Sequence, residues 1–319
     1  MTESASDPGE TETAEKPKWL RWLGIAVGLL VFAGAVYVIG QELRRVSLQE
    51  VAGAIASTSV ASLIVAILAL VLCLAAASSF DTLALQTTGQ PISWRRSALT
   101  SAVAFALSNA GPPGIALAAG VRYRSYQNEG LTGSGVALMS GVSALIALIG
   151  GLSLISLAAA SAIQAIVTQA HMPRWVGLVI AFVALKALIA FLAAPRLGRF
   201  GKFLPSRSVR LAVIVSSTVE WAATAGLLYI LLPEPSWIGF LHYLPVFGLA
   251  GLLGAVSGLP GGIGAFDAVM IAVLGPKVGA AEVAAGLLLY RAIYILAPLI
   301  VAAIIGLTIS ARSKPTGAR

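Results

Sequence analysis

FLHYLPVFGLAGLLGAVSGLPGGIGAFDAVMIAVLG, residues 240–275, carries one formal charge, Asp267, and is interrupted by Gly258-Leu259-Pro260-Gly261-Gly262-Ile263-Gly264. It is too apolar for a solvated loop and too interrupted for one straight helix. Proline lacks a backbone donor, and each interior glycine costs a helix about 1 kcal/mol. In hydrocarbon no water can satisfy the freed backbone groups, so such a break survives only where protein buries it or where it lines a cavity. Residues 97–121 repeat the pattern: uncharged, and broken by Gly111-Pro112-Pro113-Gly114.

The rest of the chain supplies the setting. Mean hydropathy is +0.92 and 58% of the 319 residues are hydrophobic. Only 11% are charged, against roughly 25% in soluble domains. Residues 22–41, 51–80 and 130–170 hold no charge at all, and each exceeds the roughly 18 apolar residues that read as a membrane-spanning helix. The runs are continuous rather than alternating, which favours helices over a transmembrane barrel. The pattern predicts an all-α, polytopic membrane bundle. Full spans fall near 22–40, 58–80, 135–160, 174–194, 209–232 and 284–308, with two broken regions besides.

Charge placement decides how the broken regions run. If both crossed the membrane, the 19 Lys and Arg outside the spans would divide almost evenly between the two sides. If each enters and leaves on one side, 15 fall inside and 4 outside. The positive-inside rule therefore selects two re-entrant hairpins, the first from the cytoplasm and the second from outside. That is an inverted-repeat arrangement, in which paired broken segments mark a midplane site. Residues 1–18 form an acidic, disordered cytoplasmic tail, 19–311 a single transmembrane domain, and 312–319 a second cytoplasmic tail. The first apolar run is too long for the core of a signal peptide.

Several chemistries fall away on composition. Cys73 is the sole cysteine, so there is no internal disulfide and no cysteine-based metal site; it reads as a small core- or lipid-facing side chain. His171 and His242 lie far apart, and no metal or cofactor is expected. The net charge of +8 sits beside apolar runs, pointing to anionic headgroups rather than nucleic acid. No nucleotide-binding glycine loop or nucleophile elbow occurs, and no enzyme activity is expected.

The candidate site residues are the ionisable and glycine positions that the membrane makes expensive or useful. A half-helix starting at a Gly/Pro turn exposes its first amides and can hold an anion there; Ile263–Gly275 and the shorter Ile115–Val121 are the candidates. Gly261, Gly262 and Gly264 allow either that approach or mere helix packing. Asp267 follows the second break, either as a cap or in proton coupling or cation binding. Lys186 and Glu220 lie mid-span at one depth on consecutive spans and would face each other or a common cavity. Arg291, between Tyr290 and Tyr294, lies too deep to reach the interface easily and suits a phosphate. Arg122 and Arg124, where the first hairpin meets the cytoplasm, are either anchors or headgroup contacts.

Some of these residues also carry a resemblance. Ser257-Gly258-Leu259-Pro260-Gly261-Gly262-Ile263-Gly264-Ala265-Phe266-Asp267, then Leu289-Tyr290-Arg291, Tyr294 and Pro298, resembles the signature of the lysylphosphatidylglycerol synthase transmembrane family. That family includes the flippase half of the MprF proteins and stand-alone YbhN-type membrane proteins. Ser108-Asn109-Ala110-Gly111, Gly120 to Tyr126, Gly130-Leu131-Thr132, and Glu220-Trp221 with Leu228-Tyr229 are similar to its other motifs. The chain departs from the family pattern at Asp267, often Glu, at Leu259, often His, and in its Pro112-Pro113 pair. Arg319 follows closely on the last span, so the aminoacyl transfer of the MprF synthase half is not expected. The resemblance implies a flippase-like translocator of an anionic or aminoacylated phospholipid, or of a polyprenyl-phosphate lipid, in the cytoplasmic membrane. The rivals are a small-anion or proton-coupled carrier, and a scaffold for a lipid- or envelope-synthesising enzyme.

Overall fold

The computed structural model describes residues 48–88, 92–157, 174–193, 205–233, 238–257, 260–302 and 304. The expected span at 22–40 and both tails lie outside these residues, as do Gly258 and Leu259. The described residues are helical with short connections and contain no strand. The helices are α1 (Leu48–Ser57), α2 (Val60–Ala77), α3 (Ser79–Thr88), α4 (Trp94–Ser108), α5 (Pro112–Tyr126), α6 (Gly133–Leu157), α7 (Arg174–Ala193), α8 (Arg207–Leu231), α9 (Phe240–Ser257), α10 (Ala265–Val278) and α11 (Ala280–Arg291). A π-turn at Ala292–Leu296 continues α11.

Among the described residues, four helical runs are long and apolar enough to cross a membrane: Val60–Gln86, Gly133–Ser156, Arg207–Leu231 and Ala280–Ala302. They stand where four full spans are expected, and α7 stands at the fifth. The 25 residues of α8 reach about 37 Å at 1.5 Å per residue, ample for a hydrocarbon core of about 30 Å. The outer faces of α2 and α7 are apolar and exposed, as at Leu68, Val71, Phe182 and Val183. Such a surface suits lipid and would be costly in water.

Both broken regions are helical hairpins. In the first, α4 and α5 have 15 residues each, about 22 Å, too short to cross. The turn is made by Gly111 at φ 83°. A half-helix beginning at Ile115 is corrected here: α5 starts at Pro112 and runs to Tyr126, because a proline at the first helical position surrenders an amide that has no partner anyway. Gly114 lets α5 fold back on α4, since a Cβ there would lie 2.0 Å from the Leu107 carbonyl oxygen. Arg96, at the start of α4, pairs with Glu129 just beyond α5, so both open ends of the hairpin lie together. In the second hairpin, α9 and α10 are joined through a 3-10 turn at Pro260–Gly262. Gly261, Gly262 and Gly264 have φ of 60°, 68° and 86°, values that a side chain resists. The half-helix expected at Ile263–Gly275 begins at Ala265 and ends at Val278.

The two hairpins enter from opposite ends of the bundle. The open end of the first sits by α3, beyond the Ala77 end of α2, where Ser97 Oγ and Thr82 Oγ1 are hydrogen-bonded at 2.6 Å. The open end of the second sits by the C-terminal end of α8, where the Phe240 and Tyr229 rings are 5.2 Å apart. Their tips meet in the interior: the Gly261 amide donates to the Asn109 carbonyl at 3.1 Å.

Candidate functional site: a cavity where two hairpin tips meet

A cavity of about 320 Å³ lies where the tips touch. The hairpin tips line it with Asn109, Gly111, Gly261 and Gly262. Glycine there is a packing demand, since a Cβ on Gly262 would lie 2.9 Å from the Gly254 Cα. Its walls are aromatic: Phe105, Trp221, Phe247, Phe266, Tyr290 and Tyr294. Tyr290 and Tyr294 stack at 5.1 Å, and Phe105 closes edge-on against Tyr294 at 6.3 Å. A π-turn, the kind of irregularity often kept at functional sites, sets the Tyr294 register. The rim includes Ile115 and Leu148, 57% and 37% exposed, so the cavity opens sideways toward the lipid-facing surface.

Among the described residues, one carboxylate lies in this cavity. Glu220, 3% exposed on α8, touches Thr224 Oγ1 at 3.2 Å and Cys73 Sγ at 3.6 Å through Oε1. Its Oε2 has no hydrogen-bond partner among the described residues. The Asn109 amide nitrogen is likewise buried and unpartnered. The site therefore offers a carboxyl group with one uncommitted oxygen and, at the hairpin tip, a neutral amide donor.

The expected cations are not in this cavity. Arg291 is 2% exposed, and its Nη2 reaches both Asp267 oxygens at 2.5 Å. Asp267 Oδ2 also accepts the Gly264 amide at 2.8 Å, which caps α10. Arg291 as a free phosphate ligand is thus corrected: its charge is spent on the carboxylate that holds the Pro-Gly-Gly turn. The exposed dipole end of α10 is corrected for the same reason, since Asp267 already occupies it. The Lys186–Glu220 pair is also corrected. Lys186 is exposed on α7, over the Phe182 ring at 5.4 Å, while Glu220 faces inward from α8. Equal depth on consecutive spans does not fix the direction of a side chain around the helix axis.

Arg122 is buried too. Its Nε and Nη2 donate to Asp81 Oδ1 at 3.0 and 2.9 Å, and Tyr126 Oη and Ser143 Oγ donate to the same carboxylate at 3.0 Å each. Arg124, two residues on, points outward and is exposed. Arg210, counted with the cytoplasmic loop charges, is 2% exposed and donates to the Leu192 and Pro205 carbonyls, tying the end of α7 to the start of α8.

The profile of the lysylphosphatidylglycerol synthase TM region matches residues 23–302. The chain belongs to that family. A protein of the family's YbhN type, the inner membrane protein YbhN of Escherichia coli, is 24% identical over 94% of this chain and 93% of its own length. The protein slr0712 of Synechocystis sp. is 26% identical over 86% of this chain and 87% of its own. The phosphatidylglycerol lysyltransferase of Staphylococcus aureus is 34% identical over 59% of this chain, which is 22% of that enzyme. This chain is thus a multi-pass helical membrane protein of the lysylphosphatidylglycerol synthase TM-region family.

Sequence reasoning singled out Glu220, the tip glycines and the two tyrosines. It missed Asn109 and Trp221 as cavity walls, although both stand in motif stretches. It also missed Cys73 and Thr224 as neighbours of Glu220. Nothing along the chain links Cys73 to a residue 147 positions away.

Proposed function

We propose that this protein moves a phospholipid between the leaflets of the cytoplasmic membrane, holding the headgroup in the cavity between the hairpin tips. The carrying observation is the cavity itself: interior, polar at Glu220 and Asn109, largely aromatic and apolar elsewhere, and reaching the exposed apolar Ile115 and Leu148, where acyl chains could remain in lipid. Its volume is at the low end of small-molecule sites, about 300–1,000 Å³, enough for a headgroup without its tails. Membership of a family that includes part of a phosphatidylglycerol lysyltransferase supports a lipid as the cargo. Among the lipids considered, the unpaired Glu220 favours a headgroup carrying an ammonium, an aminoacylated phospholipid, over a purely anionic one. A cation is attracted both to a carboxylate and to faces of Tyr and Trp. The Asn109 amide would meet a phosphate or ester oxygen. No covalent step is required.

The test is reconstitution. Purified protein in phosphatidylcholine vesicles should speed the exchange of acyl-labelled lysyl-phosphatidylglycerol between leaflets, with acyl-labelled phosphatidylglycerol moved more slowly. Protein-containing vesicles indistinguishable from empty ones for both lipids would reject the reading.

A further inference from the structure

The cavity holds a carboxyl group, and no cation among the described residues would balance it once ionised. Glu220 has a free Oε2, and the titratable groups that face it are the Cys73 thiol from α2 and the Tyr290 and Tyr294 hydroxyls from α11 and its π-turn. None of these is a cation. The buried arginines Arg122 on α5 and Arg291 on α11 are each committed to another carboxylate. A lone ionised carboxylate in such surroundings is costly, so Glu220 is neutral unless a cation stands beside it. An entering ammonium removes that cost and needs the same oxygen.

We propose that Glu220 exchanges a proton for the ammonium of the lipid headgroup, so that movement of the lipid one way is coupled to movement of a proton the other way. The inference rests on the lipid-translocation reading and adds its energy source. The bookkeeping of atoms is simple. The Glu220 O–H bond breaks as the headgroup enters, the proton leaves to the aqueous side that admitted the lipid, and the ammonium pairs with the carboxylate. On the other side a proton from water re-forms the O–H bond as the lipid departs. No oxidant or further reactant takes part. Because a singly charged cationic headgroup replaces a single proton, the exchange carries no net charge. It answers to a pH gradient and not to membrane potential.

The full-length protein is placed in phosphatidylcholine vesicles with acyl-labelled lysyl-phosphatidylglycerol, and a gradient of one pH unit is imposed. One-for-one exchange should hold about a tenfold excess of label in the leaflet facing the more acidic side. Glu220→Gln, nearly isosteric and unable to release a proton, should lose that excess. Label that moves quickly yet settles equally in both leaflets under the gradient overturns the coupling and leaves translocation standing. Label that does not move overturns both. A Glu220→Gln protein that keeps the tenfold excess shows the proton is carried elsewhere. A second measurement needs no variant: adding lysyl-phosphatidylglycerol to the parental protein in nanodiscs should release one proton per lipid bound, read by calorimetry in two buffers of different ionisation enthalpy. Binding without proton release overturns the proposal.

Discussion

Replacing Arg122 by alanine should unfold this protein rather than merely weaken its contact with headgroups. Asp81 is fully buried, and Arg122 supplies its only positive charge among the described residues. Without the guanidinium, the carboxylate keeps two neutral donors, Tyr126 Oη and Ser143 Oγ. Breaking a buried ion pair from one side costs about 3–5 kcal/mol, a large share of the stability that a helical domain has to lose. Tyr126→Phe or Ser143→Ala, each removing one hydrogen bond to the charged oxygen, should cost about 1.5–3 kcal/mol. Arg124→Ala, on the exposed side of the same helix, should stay within about 0.5 kcal/mol. Asp81→Leu combined with Arg122→Met removes both charges and should recover much of the single-variant loss. The assay is thermal unfolding in mild detergent, followed by fluorescence-detected size exclusion. An Arg122→Ala protein that melts like the parent, or single losses that simply add in the double variant, would refute the idea that Arg122 is a buried strut.

The same logic applies to Arg291 and Asp267: Arg291→Ala should lower the melting temperature and Asp267→Asn should do so less, because the amide can still accept the Gly264 N–H; equal losses would argue against the cap. Gly262→Ala should destabilise more than Gly264→Ala. Both meet the left-handed penalty of about 1–2 kcal/mol, but only Gly262 also drives a Cβ into Gly254, whereas Gly264 faces open space; melting curves rank the two. Cysteines placed at Arg124 and at Pro233 should react from opposite faces of the membrane. The background for that labelling is Cys73→Ser, which keeps a hydrogen-bonding group beside Glu220 where alanine would not; labelling from one face would contradict hairpins that enter from opposite ends.

The chain alone determined that this is a helical membrane protein with two interrupted segments. Those properties follow from local facts: uncharged runs longer than a bilayer needs, and Pro and Gly where a helix cannot pass unbroken. The placement of Lys and Arg favours open ends of the two hairpins on opposite sides of the membrane, an expectation that the labelling at Arg124 and Pro233 tests. The exact starts of α5 and α10 were less legible, because a proline can open a helix as readily as close one. Only the tertiary structure decided which charges are free. Arg291, Arg122 and Arg210 look alike in sequence to a headgroup-binding arginine, yet each is bound to a carboxylate or carbonyl brought from a distant segment. Glu220 looked paired with Lys186, yet the rotation of α7 turns that lysine outward and leaves the carboxylate facing the cavity. Sequence fixes the depth of a side chain in a span through the rise of 1.5 Å per residue. The direction it faces depends on how each helix is turned against its neighbours, which only the packed bundle specifies.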